Sequence, residues 1–234
     1  MNTENGYENF KNIMGAFLLE IIQDIDMEEI KKNGGYLEQS EFQYQLYHEY
    51  NEIIMSMDTL NLIEKFISIE PPKEESINYS NYLTYHVHNY LQEMYILKER
   101  LKSYATRVKR KYQTPSNKNN LDAILKNLIK VITSSLENIT GENGVRNIHV
   151  HGKKYIDEEL KWLKTTSSVT LTQELKNLSE PAYIIAKNKW LKIIKNNNKE
   201  TVKLLNIYFT TLSSIIAPDG KIHLPEDFKN IQTN

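Results

Sequence analysis

The sequence predicts an all-α protein, an antiparallel helical bundle with additional helices at its N- and C-terminal ends. Three observations predict this class. Apolar residues recur three and four positions apart along nearly the whole chain, which is the period of one helix face. Glycine is scarce, with 8 in 234 residues. The helix-stopping residues gather in a few short runs, so each periodic stretch has ends.

Taken in order, a first helix follows from Phe10, Ile13, Met14, Phe17, Leu18, Ile21, Ile22 and Ile25, and Asn33-Gly34-Gly35 has the composition that stops one. A second begins near Ser40-Glu41 and carries Phe42, Leu46, Tyr50, Ile53, Ile54, Met57, Leu60 and Ile67. Pro71-Pro72 with Lys73-Glu74-Glu75-Ser76 reads as a linker, because the residue before a proline avoids the α region. The third helix, about Ser80 to Lys111, has the clearest stripe: Leu83, Val87, Leu91, Met94, Leu97, Leu101, Tyr104 and Val108. Thr114-Pro115-Ser116-Asn117 breaks it, and a fourth runs from about Leu121 to Ile139.

Gly141-Glu142-Asn143-Gly144 forms a tight turn, and a short helix resumes from Asp157 to Lys164. The tail predicts two helices, one centred on Ile184 to Ile194 and one from about Lys199 to Ala217, with Pro218-Asp219-Gly220 as the turn that follows. The breaks divide the chain into acidic N-terminal helices over 1–75 that partly contribute to the bundle, a core over 76–168, and C-terminal helices over 169–234 that pack on it.

Composition is that of an ordinary globular protein, 40% hydrophobic and 25% charged. The absence of cysteine excludes a disulfide framework, a thiolate metal site and a thiol nucleophile, and makes intracellular residence the default. No basic n-region opens the chain, and no apolar run approaches the roughly 18 residues of a membrane span. A soluble, cytoplasmic protein with no membrane partner is expected. The net charge of −1 hides a strong asymmetry: residues 1–75 hold 5 Lys/Arg against 16 Asp/Glu, whereas residues 76–234 hold 24 against 14. Either the second part faces a polyanion, or the acidic helices pack on the basic ones and partly neutralise them.

Two His-Val-His runs occur, His86/His88 and His149/His151. On a helix His86 and His88 point about 200° apart, so they cannot share a ligand and read as space-filling flank residues. Residues 141–155 are chemically unlike the rest of the chain. There a turn is followed by Arg146, Asn147, His149, His151, Gly152, Lys153 and Lys154. Arginine offers a fixed, permanently charged fork that matches phosphate, and histidine moves a proton near neutral pH. Together they suit metal-free cleavage of an RNA phosphodiester, with proton transfer by one and charge stabilisation by the other. His149 and His151 also have a spacing that chelates zinc or manganese from an extended segment, although no third and fourth ligand is visible. A phosphate track with stacking positions is predicted along Lys98-Glu99-Arg100-Leu101-Lys102 and on through Arg107, Lys109, Arg110, Lys111 and Tyr112. Glu158 and Glu159 read as ordinary surface.

Arg146-Asn147-Ile148-His149-Val150-His151-Gly152 resembles the R-N-x-x-x-H-G form of the Arg-x4–6-His motif of the HEPN superfamily. The resemblance covers about residues 40–165 and implies a helical bundle with the motif at the start of its last core helix. It further implies a metal-independent endoribonuclease without cofactor, acting as a homodimer whose two motifs meet in one cleft and leave a 2′,3′-cyclic phosphate. By that resemblance His151 transfers the proton, Arg146 holds the phosphate and transition state, and Asn147 positions by hydrogen bonding, with His149 as an accessory group. Lys153 and Lys154 would be RNA contacts beside the motif. Such proteins often serve as toxins or in anti-phage and RNA defence, which brings in an antitoxin or regulatory protein as a further partner. In the branch paired with a minimal nucleotidyltransferase a tyrosine stands two residues after the histidine; here Lys153 does, and the tyrosine is Tyr155, so the chain falls outside that branch. Five residues on an ideal helix turn about 140°, so Arg146 and His151 converge only in a bent segment or across a cleft. The alternative is a non-catalytic HEPN-like module that holds a nucleotide, RNA or protein partner with the same two residues.

Overall fold

The computed structural model describes residues 5–23, 41–72, 77–140, 157–167 and 177–225. Among these the regular elements are six helices: α1 (Gly6–Gln23), α2 (Glu41–Ser68), α3 (Tyr79–Tyr112), α4 (Lys118–Thr140), α5 (Glu158–Thr166) and α6 (Ser179–Ile216). No strand accompanies them among the described residues, and the protein is an all-α bundle. No described helix is long and apolar enough to cross a membrane.

The chain folds into two compact units, each assembled from distant stretches. One takes residues 1–54, 98–135 and 202–234, the other 55–97 and 136–201.

In the first unit the core is aromatic. Phe10 of α1 stacks on Phe209 of α6 at 4.8 Å, and Tyr50 of α2 meets Phe10 edge-on at 5.6 Å. Such pairs stabilise by about 0.5–1.5 kcal/mol beyond the area they bury. Tyr208 turns its ring inward and donates its hydroxyl to the Leu101 carbonyl at 2.8 Å, so its burial leaves no orphaned donor. Helix α1 lies close against α6, and the closeness depends on Gly6: a Cβ there would collide with the backbone carbonyl of Asn206 and the hydroxyl of Thr210. The Tyr7 amide fixes the same point by donating to Asn206 Oδ1 at 2.9 Å. Beyond α6 the predicted turn at Pro218-Asp219-Gly220 is present, with Gly220 at φ 87°, the left-handed conformation that favours glycine. The chain then doubles back, and Tyr112 at the end of α3 donates to the His223 carbonyl at 2.8 Å.

In the second unit Leu83, Val87, Leu91 and Met94 of α3 are buried with Leu60, Ile63 and Ile67 of α2 and with Leu160 and Leu163 of α5. Tyr79 stacks on Tyr183 at 4.7 Å. Where Pro71-Pro72 stops α2, the late carbonyls of the helix are satisfied from outside it: Tyr82 Oη donates to the Phe66 carbonyl at 2.6 Å and Lys187 Nζ to that of Ile69 at 3.1 Å. The pairs Tyr79–Tyr183 and Tyr90–Asn198 show that α3 and α6 run in the same direction. Helix α2 runs opposite to α6, as Asn198 bonding Glu64 and Lys187 bonding Glu70 require.

The tail departs from expectation. In place of two helices there is one, α6, of 38 residues. The stretch Lys195-Asn196-Asn197-Asn198-Lys199 has a loop-like composition because asparagine side chains compete for nearby backbone groups. In the folded chain Asn197 and Asn198 are buried, and Asn198 is engaged elsewhere: it accepts from Tyr90 Oη at 3.0 Å and donates to Glu64 at 2.8 Å. With its side chain so occupied, and no glycine or proline nearby, the helix continues.

Candidate nucleic-acid interface

The C-terminal half of α3 carries the predicted phosphate track, and the structure divides its cations into three groups. The first is neutralised by α2. Arg107 Nη2 lies 2.6 Å from Glu49 Oε1, and its other terminal nitrogen donates to Gln45. Arg100 pairs with the Glu52 carboxylate and also donates to the Glu52 carbonyl at 2.9 Å. The order of these pairs sets α2 and α3 antiparallel in this unit. Acidic α2 thus packs on basic α3 and offsets part of its charge.

The second group is turned away from the track. Lys109 forms an ion pair with Asp122 of α4, and the bond from Lys109 holds the Asp122 carboxyl below its usual range. Lys98 is buried, beside Glu99 at 3.9 Å.

The third group, Lys102, Arg110 and Lys111, lines a groove of about 380 Å³ together with Glu99, Ser103, Thr106 and the already paired Arg107. Lys102 is held by Glu99 at 3.0 Å, whereas Arg110 and Lys111 are exposed at the end of the helix. The Lys111 ammonium sits 5.3 Å from the Phe42 ring centroid, a cation–π contact that keeps its charge at the surface. A basic helix C-terminus of this kind is also favoured by the helix dipole. The groove offers permanent charge and hydroxyl groups to an anion, and its one carboxylate, Glu99, is held by Lys102.

Arg146, Asn147, His149, His151, Lys153 and Lys154 lie outside the described residues. Their flanks do not. Helix α4 ends at Thr140, and α5 opens with Asp157 as its N-cap, whose side chain accepts from the Leu160 amide at 2.9 Å. Lys189 of α6 clamps this N-terminus, 3.1 Å from Asp157 Oδ2 and paired also with Glu159. Glu159 is therefore not ordinary surface: the bond from Lys189 holds its carboxyl below the usual range. Helix α5 is fixed at Asp157, the first described residue after the Arg/His segment in the sequence.

The other histidine pair fills space. His86 stacks on Phe66 at 5.3 Å and meets Tyr82 edge-on at 4.6 Å, and burial holds its pKa below the ordinary value. His88 is equally buried.

Sequence reasoning missed which carboxylates hold which cations. The charge asymmetry between the first 75 residues and the remainder was the available signal, but pairing Arg107 with Glu49 needs the register of two helices. No family model matches this chain, and neither curated proteins nor solved structures provide a significant match.

Proposed function

We propose that this chain is a HEPN-like, metal-independent endoribonuclease. One observation carries the reading: Arg146-Asn147-Ile148-His149-Val150-His151-Gly152 occurs between two helices, α4 and α5, of an all-helical protein. In this reading the ribose 2′-oxygen attacks the adjacent phosphorus, the bond from phosphorus to the 5′-oxygen breaks, and a 2′,3′-cyclic phosphate forms. His151 carries the proton between the 2′-hydroxyl and the leaving oxygen, and Arg146 steadies the charge that builds on the phosphoryl oxygens. Asn147 positions the phosphate, with His149 beside it as an accessory group. Lys153 and Lys154 hold the RNA, and Arg110 and Lys111 contact its backbone. The protein acts as a homodimer with its motifs at a shared cleft, in toxin or anti-phage RNA defence, under an antitoxin or regulatory partner.

The test is cleavage of a labelled RNA in EDTA by the full chain and by Arg146→Ala and His151→Ala. Cleavage to cyclic-phosphate ends by the wild type, and its loss in both variants with helicity retained, supports the reading. Full activity in both variants, or stoichiometric RNA binding without cleavage under any ionic condition, overturns it.

A further inference from the structure

Helix α2 carries a second apolar stripe that the core does not use. Met55, Leu62, Phe66 and Ile69 are 52, 49, 39 and 53% exposed, and Thr59 completes the spacing. Alternating steps of four and three residues hold Met55, Thr59, Leu62 and Phe66 within about 60° of one another over about 17 Å of helix, and Ile69 follows directly after the last turn. That is the seam of a helix made to pack against another helix. Along one edge the stripe drops into a groove of about 320 Å³, where Phe66 and Leu62 of α2 face Tyr85 and Ile96 of α3. Tyr85, 63% exposed, widens the apolar surface. Contiguous exposed apolar surface of this kind marks an interaction site, whereas scattered single residues do not.

The flanking charges indicate the occupant. Asp58 and Lys65 are both exposed and stand one heptad apart on the side of the stripe away from Ile63 and the groove. When two α2 helices pair antiparallel about a two-fold axis near Leu62, Asp58 comes level with the partner's Lys65. The symmetry generates the reciprocal pair. The same operation sets Met55 beside the partner's Phe66, and Leu62 between the partner's Thr59 and the partner's Leu62. A parallel pairing would instead leave Asp58 and the partner's Lys65 at different levels and on opposite sides of the seam, so the ion pairs could not form. An isologous interface requires this self-complementarity, in which every contact away from the two-fold axis is made twice and residues on the axis meet their own copies.

We propose that the exposed face of α2 is the surface through which two copies of this chain pair, antiparallel and two-fold. The pairing gives a surface to the homodimer of the proposed function but is argued from α2 alone. Its readout is mass, and cleavage is scored separately in the Arg146 and His151 variants, so failure of the surface and failure of the ribonuclease chemistry are distinguishable.

The experiment is sedimentation of the full chain across a wide concentration range. The expected result is a concentration-dependent dimer that Leu62→Lys converts to monomer with far-ultraviolet helicity unchanged. Asp58→Lys and Lys65→Asp each weaken the dimer about tenfold by placing like charges opposite each other twice. An equimolar mixture of these two variants recovers wild-type affinity as a heterodimer. A monomer at every concentration, a dimer that survives Leu62→Lys, or a mixture no tighter than its components overturns the proposal.

Discussion

Arg107 of α3 and Glu49 of α2 meet at 2.6 Å, each about one-third exposed or less, and they join the most basic helix end to the acidic N-terminal part of the chain. The second carboxylate oxygen of Glu49 and the Nε of Arg107 are buried without a hydrogen-bond partner, so the pair is only partly compensated. Removing one member then leaves a half-buried charge unmatched, which costs more than the pair itself contributes. Arg107→Ala and Glu49→Ala should each destabilise the chain by about 1–2 kcal/mol, discounted for the remaining exposure. The double variant should recover about 1 kcal/mol of the summed loss. Urea melts of the four proteins measure it, and strictly additive losses would show the pair to be uncoupled.

A second prediction concerns the continuity of α6. Asn198 is the shared partner of Tyr90 and Glu64, in a part of the second unit where Tyr90 is fully buried. Asn198→Ala removes the acceptor of the Tyr90 hydroxyl and deprives the Glu64 carboxylate of its donor, at about 1–3 kcal/mol. Tyr90→Phe removes one hydrogen bond and leaves Asn198 its bond to Glu64, at about 1 kcal/mol. Denaturant midpoints should therefore rank Asn198→Ala below Tyr90→Phe. The opposite order would mean that the Tyr90 ring contributes more through its hydroxyl than the network does.

The legible part of the fold was whatever helical period alone could encode. The stripe from Leu83 to Val108 marks α3, and its members are buried. The start of α5 near Asp157 was visible because the apolar period resumes there with Leu160 and Leu163; that Asp157 caps the helix is seen only in the structure. Periodicity failed where a residue's role is set by a neighbour distant in sequence. Asn197 and Asn198 look like a loop until Tyr90 and Glu64 are placed beside Asn198. The same blindness applied to α2, where Met55, Leu62, Phe66 and Ile69 form a second apolar stripe behind the buried one. Of the candidate site, the cations of α3 were legible as a charge run. Their division into neutralised and surface-facing members required the helix register.

Histidine 86 supplies a pH dependence. Burial lowers its pKa below the ordinary value near 6.5, so between the folded and unfolded values the unfolded chain binds more protons. The stability this gives is fully present above about pH 6.5 and is lost as pH falls through the lower folded value. Melting temperature should consequently decline on acidification below neutrality, before carboxylates such as Glu159 and Asp122 titrate. His86→Phe keeps a ring beside Phe66 and Tyr82 while removing the titrating group. Its melting temperature should vary less between pH 7 and pH 5 than that of the wild type; an unchanged slope would assign the effect elsewhere.

The last prediction separates the four cations that a reading of charge alone groups together. If the α3 groove contacts a phosphate backbone, affinity for a single-stranded RNA falls with salt, and each cation that meets a phosphate contributes about 0.7 to the slope of log K against log salt. Arg110 and Lys111 are exposed along the groove, and each alanine variant should reduce the slope by about that amount. Lys109 is paired with Asp122 on α4 and does not line the groove, so Lys109→Ala should leave the slope unchanged. Arg107 is held by Glu49, and Glu49→Gln should strengthen RNA binding by releasing its charge. Filter binding in Arg146→Ala protein at several salt concentrations measures all of these without cleavage of the RNA. Equal effects at Lys109 and Arg110 would mean that net charge, not the groove, attracts the RNA.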